Sequence, residues 1–336
     1  MRLLVLGGTA FLGRAFASAA LESGHHVTCA ARGVTGRPPD GVHLVRVDRN
    51  APDAYGQIGG DFDAVVDVSN RPSHVRAAVS ALADRVDHWM YVSSISVYSD
   101  YATPGQRTTA PTVPAAPPDV DDPEADGYAQ YRPCKMACEE AVREAVAETR
   151  AFICRPGMIA GAGDVTGRFT YWVARLSRGG EVLVPGGPDD AVQWVDVRDL
   201  AEWLVRVAAS RTSGVYDGIG VPVPRTEFLA GIAEGVGVQA DCTYVSHDFL
   251  TGRGINLWGG PRSLPFWFPL PEYAGVLSRD TADTLAAGLT LRPLADTARF
   301  THDWWRSQLP ADGRLGAGLT APEEAEILEA WRVTRH

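Results

Sequence analysis

The sequence predicts an α/β protein built on a doubly wound parallel sheet. Three features carry that expectation. The chain opens on a short apolar run, Arg2–Leu6, that passes through glycines into a stretch with helical spacing. Further short apolar runs then alternate with helical patterns. These runs are apolar at successive positions, as strands buried on both faces must be.

Each element has its own warrant. Residues 2–6 (RLLVL) read as a central strand. Residues 11–23 place Phe11, Leu12, Ala15, Phe16, Ala19 and Ala20 on one helical face, and Gly24 stops the helix. Residues 26–31 (HVTCAA), 42–47, 63–68 (DAVVDV) and 88–93 (HWMYVS) read as the next strands. A helix is expected over 72–84, opened by Pro72. Residues 101–127 hold six prolines and several acids, which predicts a long loop of the kind that usually serves function. A helix over 128–149 and a strand over 151–155 follow. Residues 192–197 form another segment, with Asp199 expected to cap the helix LAEWLVRVAAS. The remainder mixes short strands, helices and proline-rich turns, with Trp304-Trp305 expected in a core.

The 336 residues suit one large domain or two small ones, and 45% hydrophobic with 21% charged residues is a globular composition. A net charge of −10 argues against a nucleic-acid partner, which needs a basic face. Five cysteines without a Cys-x-x-Cys point to reduced thiols in a cytoplasmic protein. Cys134 and Cys138, one helical turn apart, lack further ligands, as does the pair His25-His26, so no metal site is expected. Gly7 and Gly8 break the first apolar run too early for a signal peptide, and no stretch approaches a membrane span.

The segment GGTAFLGR, residues 7–14, ends a strand and opens a helix. Glycines there let a pyrophosphate approach the backbone amides, and the helix N-terminus adds unpaired N–H groups with partial positive charge. Gly7, Thr9, Ala10, Phe11, Leu12 and Gly13 are therefore candidate dinucleotide contacts. An acid at the end of the second strand would bind the 2′-hydroxyl of NAD. This chain has Arg32, which suits a 2′-phosphate and favours NADP(H), with Arg14 as a helper. Asp48 is a candidate for the adenine amino group.

Two stretches suggest chemistry: YVSSISVYS at 91–99 and YRPCK at 131–135, in which Tyr131 and Lys135 share one helical face. GGTAFLGR, VSSISVY, YRPCK, RPGMI and QWVDVRDLA, in this order, resemble the extended type of the short-chain dehydrogenase/reductase superfamily, the NAD-dependent epimerase/dehydratase-like group. The resemblance covers residues 1 to about 220 and implies a Rossmann-type sheet with a smaller C-terminal substrate lobe. It implies that Tyr131 is the catalytic acid/base and that Lys135 binds the nicotinamide ribose and favours the tyrosinate. It also implies that Ser94 polarises the substrate carbonyl, with Ser93 one position off. Val68, Ser93, Pro156, Gly157 and Met158 fall where the family lines its cofactor. The implied division is 1–160, with 190–218 returning to it, for the NADP-binding domain, and 161–189 with 219–336 for the substrate lobe.

Three departures stand out. The middle glycine of the loop is Ala10, and Pro133 lies inside the tyrosine helix and removes one N–H. Ser94-Ile95-Ser96 lacks the Asp-Glu pair of nucleotide-sugar dehydratases, which disfavours dehydration. On the substrate side, Trp258, Phe266, Trp267 and Phe268 either line an apolar substrate pocket or a lid or pack between lobes or subunits, and Gln193 and Trp194 are candidate contacts. A nucleotide sugar would need cations for its diphosphate, for which Arg168, Arg175, Arg262 and Arg292 are available. The expected activity is NADP(H)-dependent reduction of a carbonyl, or an imine, of a small metabolite. The alternatives are a nucleotide-sugar epimerase and a catalytically silent cofactor-binding protein. The expected partners are a small-molecule substrate and a second copy in a homodimer.

Overall fold

The computed structural model describes residues 1–308 and 315–334. Positions 309–314 and 335–336 of the predicted substrate lobe lie outside the described residues. The first half runs β1 (Arg2–Leu6), α1 (Phe11–Glu22), β2 (His26–Ala31), β3 (His43–Arg46), β4 (Phe62–Asp67), α2 (Pro72–Leu82), β5 (Val86–Val92), α3 (Ala125–Tyr128), α4 (Tyr131–Ala145) and β6 (Ala151–Pro156). There follow β7 (Ile159–Ala160), α5 (Arg168–Ser177), β8 (Glu181–Pro185), β9 (Ala191–Val192), β10 (Val195–Asp196), α6 (Val197–Ser210) and β11 (Gly214–Gly218). The last part holds β12 (Val223–Pro224), α7 (Arg225–Val236), β13 (Asp241–Val245), α8 (His247–Gly252), α9 (Ala282–Ala286), α10 (Leu294–Ser307) and α11 (Ala321–Thr334).

Seven strands form one parallel sheet in the order β11-β6-β5-β4-β1-β2-β3. The order reverses between β1 and β4, and ligands bind in the crevice that such a switch point opens. The apolar runs explain the layers. In β1, Leu3 and Val5 point into the core with α1 and α6, which holds Phe16, Leu200 and Trp203. Leu4 and Leu6 point the other way, into the core with α2 and α4, which holds Val75, Trp89 and Val142. A third core gathers Trp172, Phe228, Phe266, Trp267 and Ile327 in the later part of the chain. Each such side chain contributes about 1.5–3 kcal/mol when fully buried.

Several local expectations need correction. The helix expected over 128–149 breaks in two: Gly127 and Tyr128 take left-handed φ of 67° and 72°, so α3 ends there and α4 begins at Tyr131. The proline-rich loop therefore carries a short helix at its end. Pro133 falls in the first turn of α4, where its missing N–H would have no intrahelical partner, so it costs no helical bond. Asp196, not Asp199, caps α6 by accepting from the Arg198 amide; Asp199 is instead taken up by Arg292. Segment 192–197 is two short strands that pair with different partners. Trp304 and Trp305 are half-buried on α10, not in a core.

Candidate active site

The turn after β1 shows why its glycines are there. A Cβ on Gly8 would sit 2.2 Å from the Cys29 sulfur, and one on Gly13 would sit 2.4 Å from the Gly7 carbonyl oxygen. Gly7 itself has φ of +101°, and a Cβ on it would meet Val68 at 2.6 Å. Gly13 thus packs directly on the backbone of Gly7, while Gly7 and Gly8 leave room only for the side chains of Val68 and Cys29. Ala10 is the extended residue before α1 and gives it no side-chain cap, so the first amides of the helix are left for a ligand's oxygens. Thr9 is buried beside Thr35, and its carbonyl is closely approached by Gly36. Leu12 is buried, and Phe11 takes an unusual φ of 20°. These residues fit a dinucleotide pyrophosphate.

At the end of β2, Arg32 is exposed, and Arg46 donates to its carbonyl at 3.3 Å. Arg14 reaches the Arg37 carbonyl at 3.2 Å. Asp48 is exposed and accepts from the Asn50 backbone and side chain, both at 3.1 Å.

The strand ends of β4 and β5 hold the lysine. Lys135, 3% exposed, donates to the Ser69 carbonyl at 2.9 Å and to the Val92 carbonyl at 2.7 Å. Its ammonium lies 6.0 Å from the centre of the Tyr131 ring and 5.1 Å from that of Tyr91. Tyr91 donates to the same Ser69 carbonyl at 3.0 Å. Ser94 opens a 3-10 turn over Ile95–Val97, and its oxygen accepts from the Ser96 amide at 3.2 Å and the Ser96 hydroxyl at 2.9 Å. Both acceptor positions are engaged, which leaves the Ser94 proton to donate. The half-buried Arg132 ties the start of α4 to this turn through the Ser96 and Tyr98 carbonyls, at 2.7 and 2.6 Å. Ser93 is buried, with its hydroxyl beside Glu139. Pro156 ends β6, Gly157 packs on Ile219, and Met158 is 3% exposed within the third core.

Buried ion pairs frame this arrangement, and sequence reading did not anticipate them. Arg49 grips Asp67 with two bonds of 2.8 and 2.7 Å at the end of β4. Arg155 grips Glu139 with bonds of 2.9 and 2.7 Å, across the start of the RPG segment. Burial alone would raise the Glu139 carboxyl, but the Arg155 bonds and charge outweigh it and hold Glu139 below its ordinary range. Asp217 accepts from Tyr98 and from Arg279, each at 2.7 Å, and Arg279 lies 3.5 Å over the Tyr98 ring. Burial dominates at Asp217 and pushes its carboxyl up despite Arg279. The one signal that could have found any of them is an acid ending an apolar strand, Asp67 in FDAVVD.

On the substrate side, the structure redistributes the candidates. Gln193 is fully buried, with its amide spent on Gly220 and on both backbone groups of Arg279. Three of the four candidate arginines are held by carboxylates: Arg175 by Glu324, Arg262 by Glu323, and Arg292 by Asp199 and Glu202. Arg168 lies 4.5 Å over the Trp258 ring and donates to Thr166 at 2.8 Å. Burial lowers its guanidinium from the ordinary range, an effect that the nearby Asp164 opposes.

Residues 3–218 match the NAD dependent epimerase/dehydratase family. The chain belongs to this family. A relative of this family's type, 2'-dehydrokanamycin reductase of Streptomyces kanamyceticus, is 30% identical over 251 residues, covering 70% of this chain and 67% of the relative. The fold is shared with the Bordetella bronchiseptica enzyme WbmH in complex with NAD+, at 17% identity and TM-score 0.64, covering 93% of this chain and 99% of that one. It is shared also with the Thermus thermophilus UDP-glucose 4-epimerase in complex with NAD, at 18% identity and TM-score 0.60, covering 91% of this chain and 99% of that one. Family and relative together make this an NAD-dependent enzyme of oxidoreductase type. No helix among the described residues is long and apolar enough to cross a membrane.

Proposed function

We propose that this family member is an NADP(H)-dependent oxidoreductase that reduces a carbonyl of a small metabolite, with Tyr131 as proton donor. The observation that carries the reading is the ammonium of Lys135, fixed between two strand-end carbonyls and 6.0 Å from the Tyr131 ring. When bound, a reduced nicotinamide supplies the hydride. Two of the three Lys135 protons are committed to carbonyls, which leaves one to hold a ribose hydroxyl and offset charge on the tyrosine oxygen. Tyr131 gives its proton to the developing alkoxide, and Ser94 steadies that oxygen with the proton that its partners leave free. Cofactor binding falls to residues 1–160 with 190–218, and the substrate lobe to 161–189 with 219–336.

The preference for NADP(H) rests on Arg32 and its neighbour Arg46, with no carboxylate anywhere in residues 31–37. The reaction named for the S. kanamyceticus relative makes a sugar-derived ketone the first substrate to try. An epimerase acting on a nucleotide sugar is the second reading, favoured by the family and by the fold of the UDP-glucose 4-epimerase. It is weakened by the arginines already committed to carboxylates. Tyr131→Phe decides the mechanism: turnover of a ketone should fall by about 10²–10⁴. Undiminished turnover overturns the assignment.

A further inference from the structure

A cavity of about 370 Å³ lies where α7, the turn after β8, the loop at Pro104 and the segment 268–278 meet. Ligand clefts usually measure about 300–1,000 Å³. A chain of contacts links the cavity to the proposed chemistry. Tyr273, on its wall, stacks on Tyr101 at 5.9 Å; the Tyr101 hydroxyl donates to the Ser96 carbonyl at 2.9 Å, and the Ser96 hydroxyl donates to Ser94.

We propose that this cavity is a subsite for an unphosphorylated, amine-bearing sugar ring, with Asp189 and Arg225 as the residues that select it. The proposal rests on the carbonyl-reductase reading and names its substrate class. Three observations support it. First, Phe268 and Tyr273, stacked 5.8 Å apart, give the cavity an aromatic wall, and the C–H groups of a pyranose pack against such apolar surface. Second, Arg225 is 3% exposed and donates one bond of 3.2 Å, to the Phe266 carbonyl, while its Nε–H has no partner among the described residues. That Nε–H is sealed from the cavity, but Arg225 lines the cavity, and a hydroxyl or ring oxygen there would accept from its terminal N–H groups, for which the Phe266 carbonyl is the one acceptor among the described residues. Third, the charges are wrong for a diphosphate. Two carboxylates, Asp189 and Asp190, face one guanidinium.

The roles of the two acids differ. Asp190 is fixed by the Gly187 amide at 2.8 Å and by His247 at 3.1 Å. The other His247 nitrogen, Nδ1, accepts from the Trp267 indole at 2.8 Å, so Nε2 carries the proton that faces Asp190. Asp189 is exposed at the mouth, where it is placed to receive an ammonium. A hydroxyl-rich ring can then donate to the acids, accept from Arg225 and lie against the rings. A nucleotide diphosphate would meet two carboxylates instead.

The test is calorimetric titration of the NADP+-loaded protein with kanamycin, with fully N-acetylated kanamycin and with UDP-glucose. Kanamycin should bind, N-acetylation should weaken it at least tenfold, and Asp189→Asn should weaken kanamycin about tenfold while leaving the acetylated compound unchanged. UDP-glucose binding more tightly than kanamycin, or kanamycin binding unaffected by both acetylation and Asp189→Asn, overturns the proposal. The two readings fail separately. If kanamycin binds as described but its keto derivatives never oxidise NADPH, the subsite stands and the reductase reading falls. If a keto derivative oxidises NADPH with the same KM in wild type and Asp189→Asn, the reductase reading stands and the subsite falls.

Discussion

Replacing Gly8 by alanine tests the close packing under the dinucleotide turn. The added methyl would lie 2.2 Å from the Cys29 sulfur, against an ordinary contact of at least 3.4 Å, so the two must separate by about 1.2 Å. Cys29 is on β2, inside the sheet and fully buried, so that shift displaces a strand backbone. Overpacking of this kind costs about 1–3 kcal/mol, and the upper part of that range applies here. Cys29→Ala removes the sulfur at a cost of about 1 kcal/mol and leaves only contacts of 3.1 Å, to its own Cβ and to Val5, which small movements relieve. The double variant should therefore be more stable than the sum of the singles by about 1–2 kcal/mol. Gly13→Ala is the control, because its obstacle at 2.4 Å is the Gly7 carbonyl oxygen, which Cys29→Ala leaves in place. Urea unfolding of the cofactor-free protein measures both double variants beside their singles. Zero coupling between positions 8 and 29, or equal rescue of Gly13→Ala, would refute the reasoning.

Arg32→Glu should weaken NADPH binding by about tenfold to a hundredfold while affecting NADH far less, as measured by cofactor fluorescence titration. At Arg279 and Asp217, Arg279→Met strands a carboxylate 1% exposed and should cost about 3–5 kcal/mol. Asp217→Asn should cost less, because Arg279 keeps the Arg107 carbonyl and the Tyr98 ring; comparison of urea midpoints checks the order. Burial pushes the Cys29 thiol from 9.0 up to about 12, so native protein keeps neutral a group that the unfolded chain ionises. Its stabilising contribution is complete below pH 9 and drains away as pH climbs toward 12, which alkaline unfolding of wild type against Cys29→Ala reads. Cys242 is half-buried while the other four thiols are buried, so a maleimide should label one cysteine quickly and four only on unfolding.

Six of the seven strands of the sheet were legible because burial on both faces leaves a nearly continuous apolar run, as in Leu3–Leu6; β11, with Asp217 between tyrosine and glycine in GVYDG, has no such run and was not legible. The glycine turn was legible because the need for bare backbone falls on neighbouring positions. That Tyr131 and Lys135 lie one turn apart on α4 was legible from helical spacing; their proposed roles came from the resemblance. The ion pairs were not, because each joins distant positions. Asp217 meets Tyr98 across 119 residues and Arg279 across 62, and no local pattern links them. The cap of α6 was misplaced by three residues because Asp196 and Asp199 are equally good candidates in sequence; only the return of Arg292 tells them apart. The α3–α4 break was hidden because Tyr128 takes a left-handed conformation that its side chain does not signal.

In the proposed reaction, net hydride transfer runs from NADPH to a substrate carbonyl, with Tyr131 giving the proton. Incubation of the protein with NADPH deuterated at nicotinamide C4 and a keto amino sugar tests it most directly, with products read by mass spectrometry and NADP+ counted. Deuterium should appear at the new carbinol carbon, with one NADP+ formed for each product, and both should be lost in Tyr131→Phe. Product that carries no deuterium, or conversion with no NADPH consumed, would contradict it.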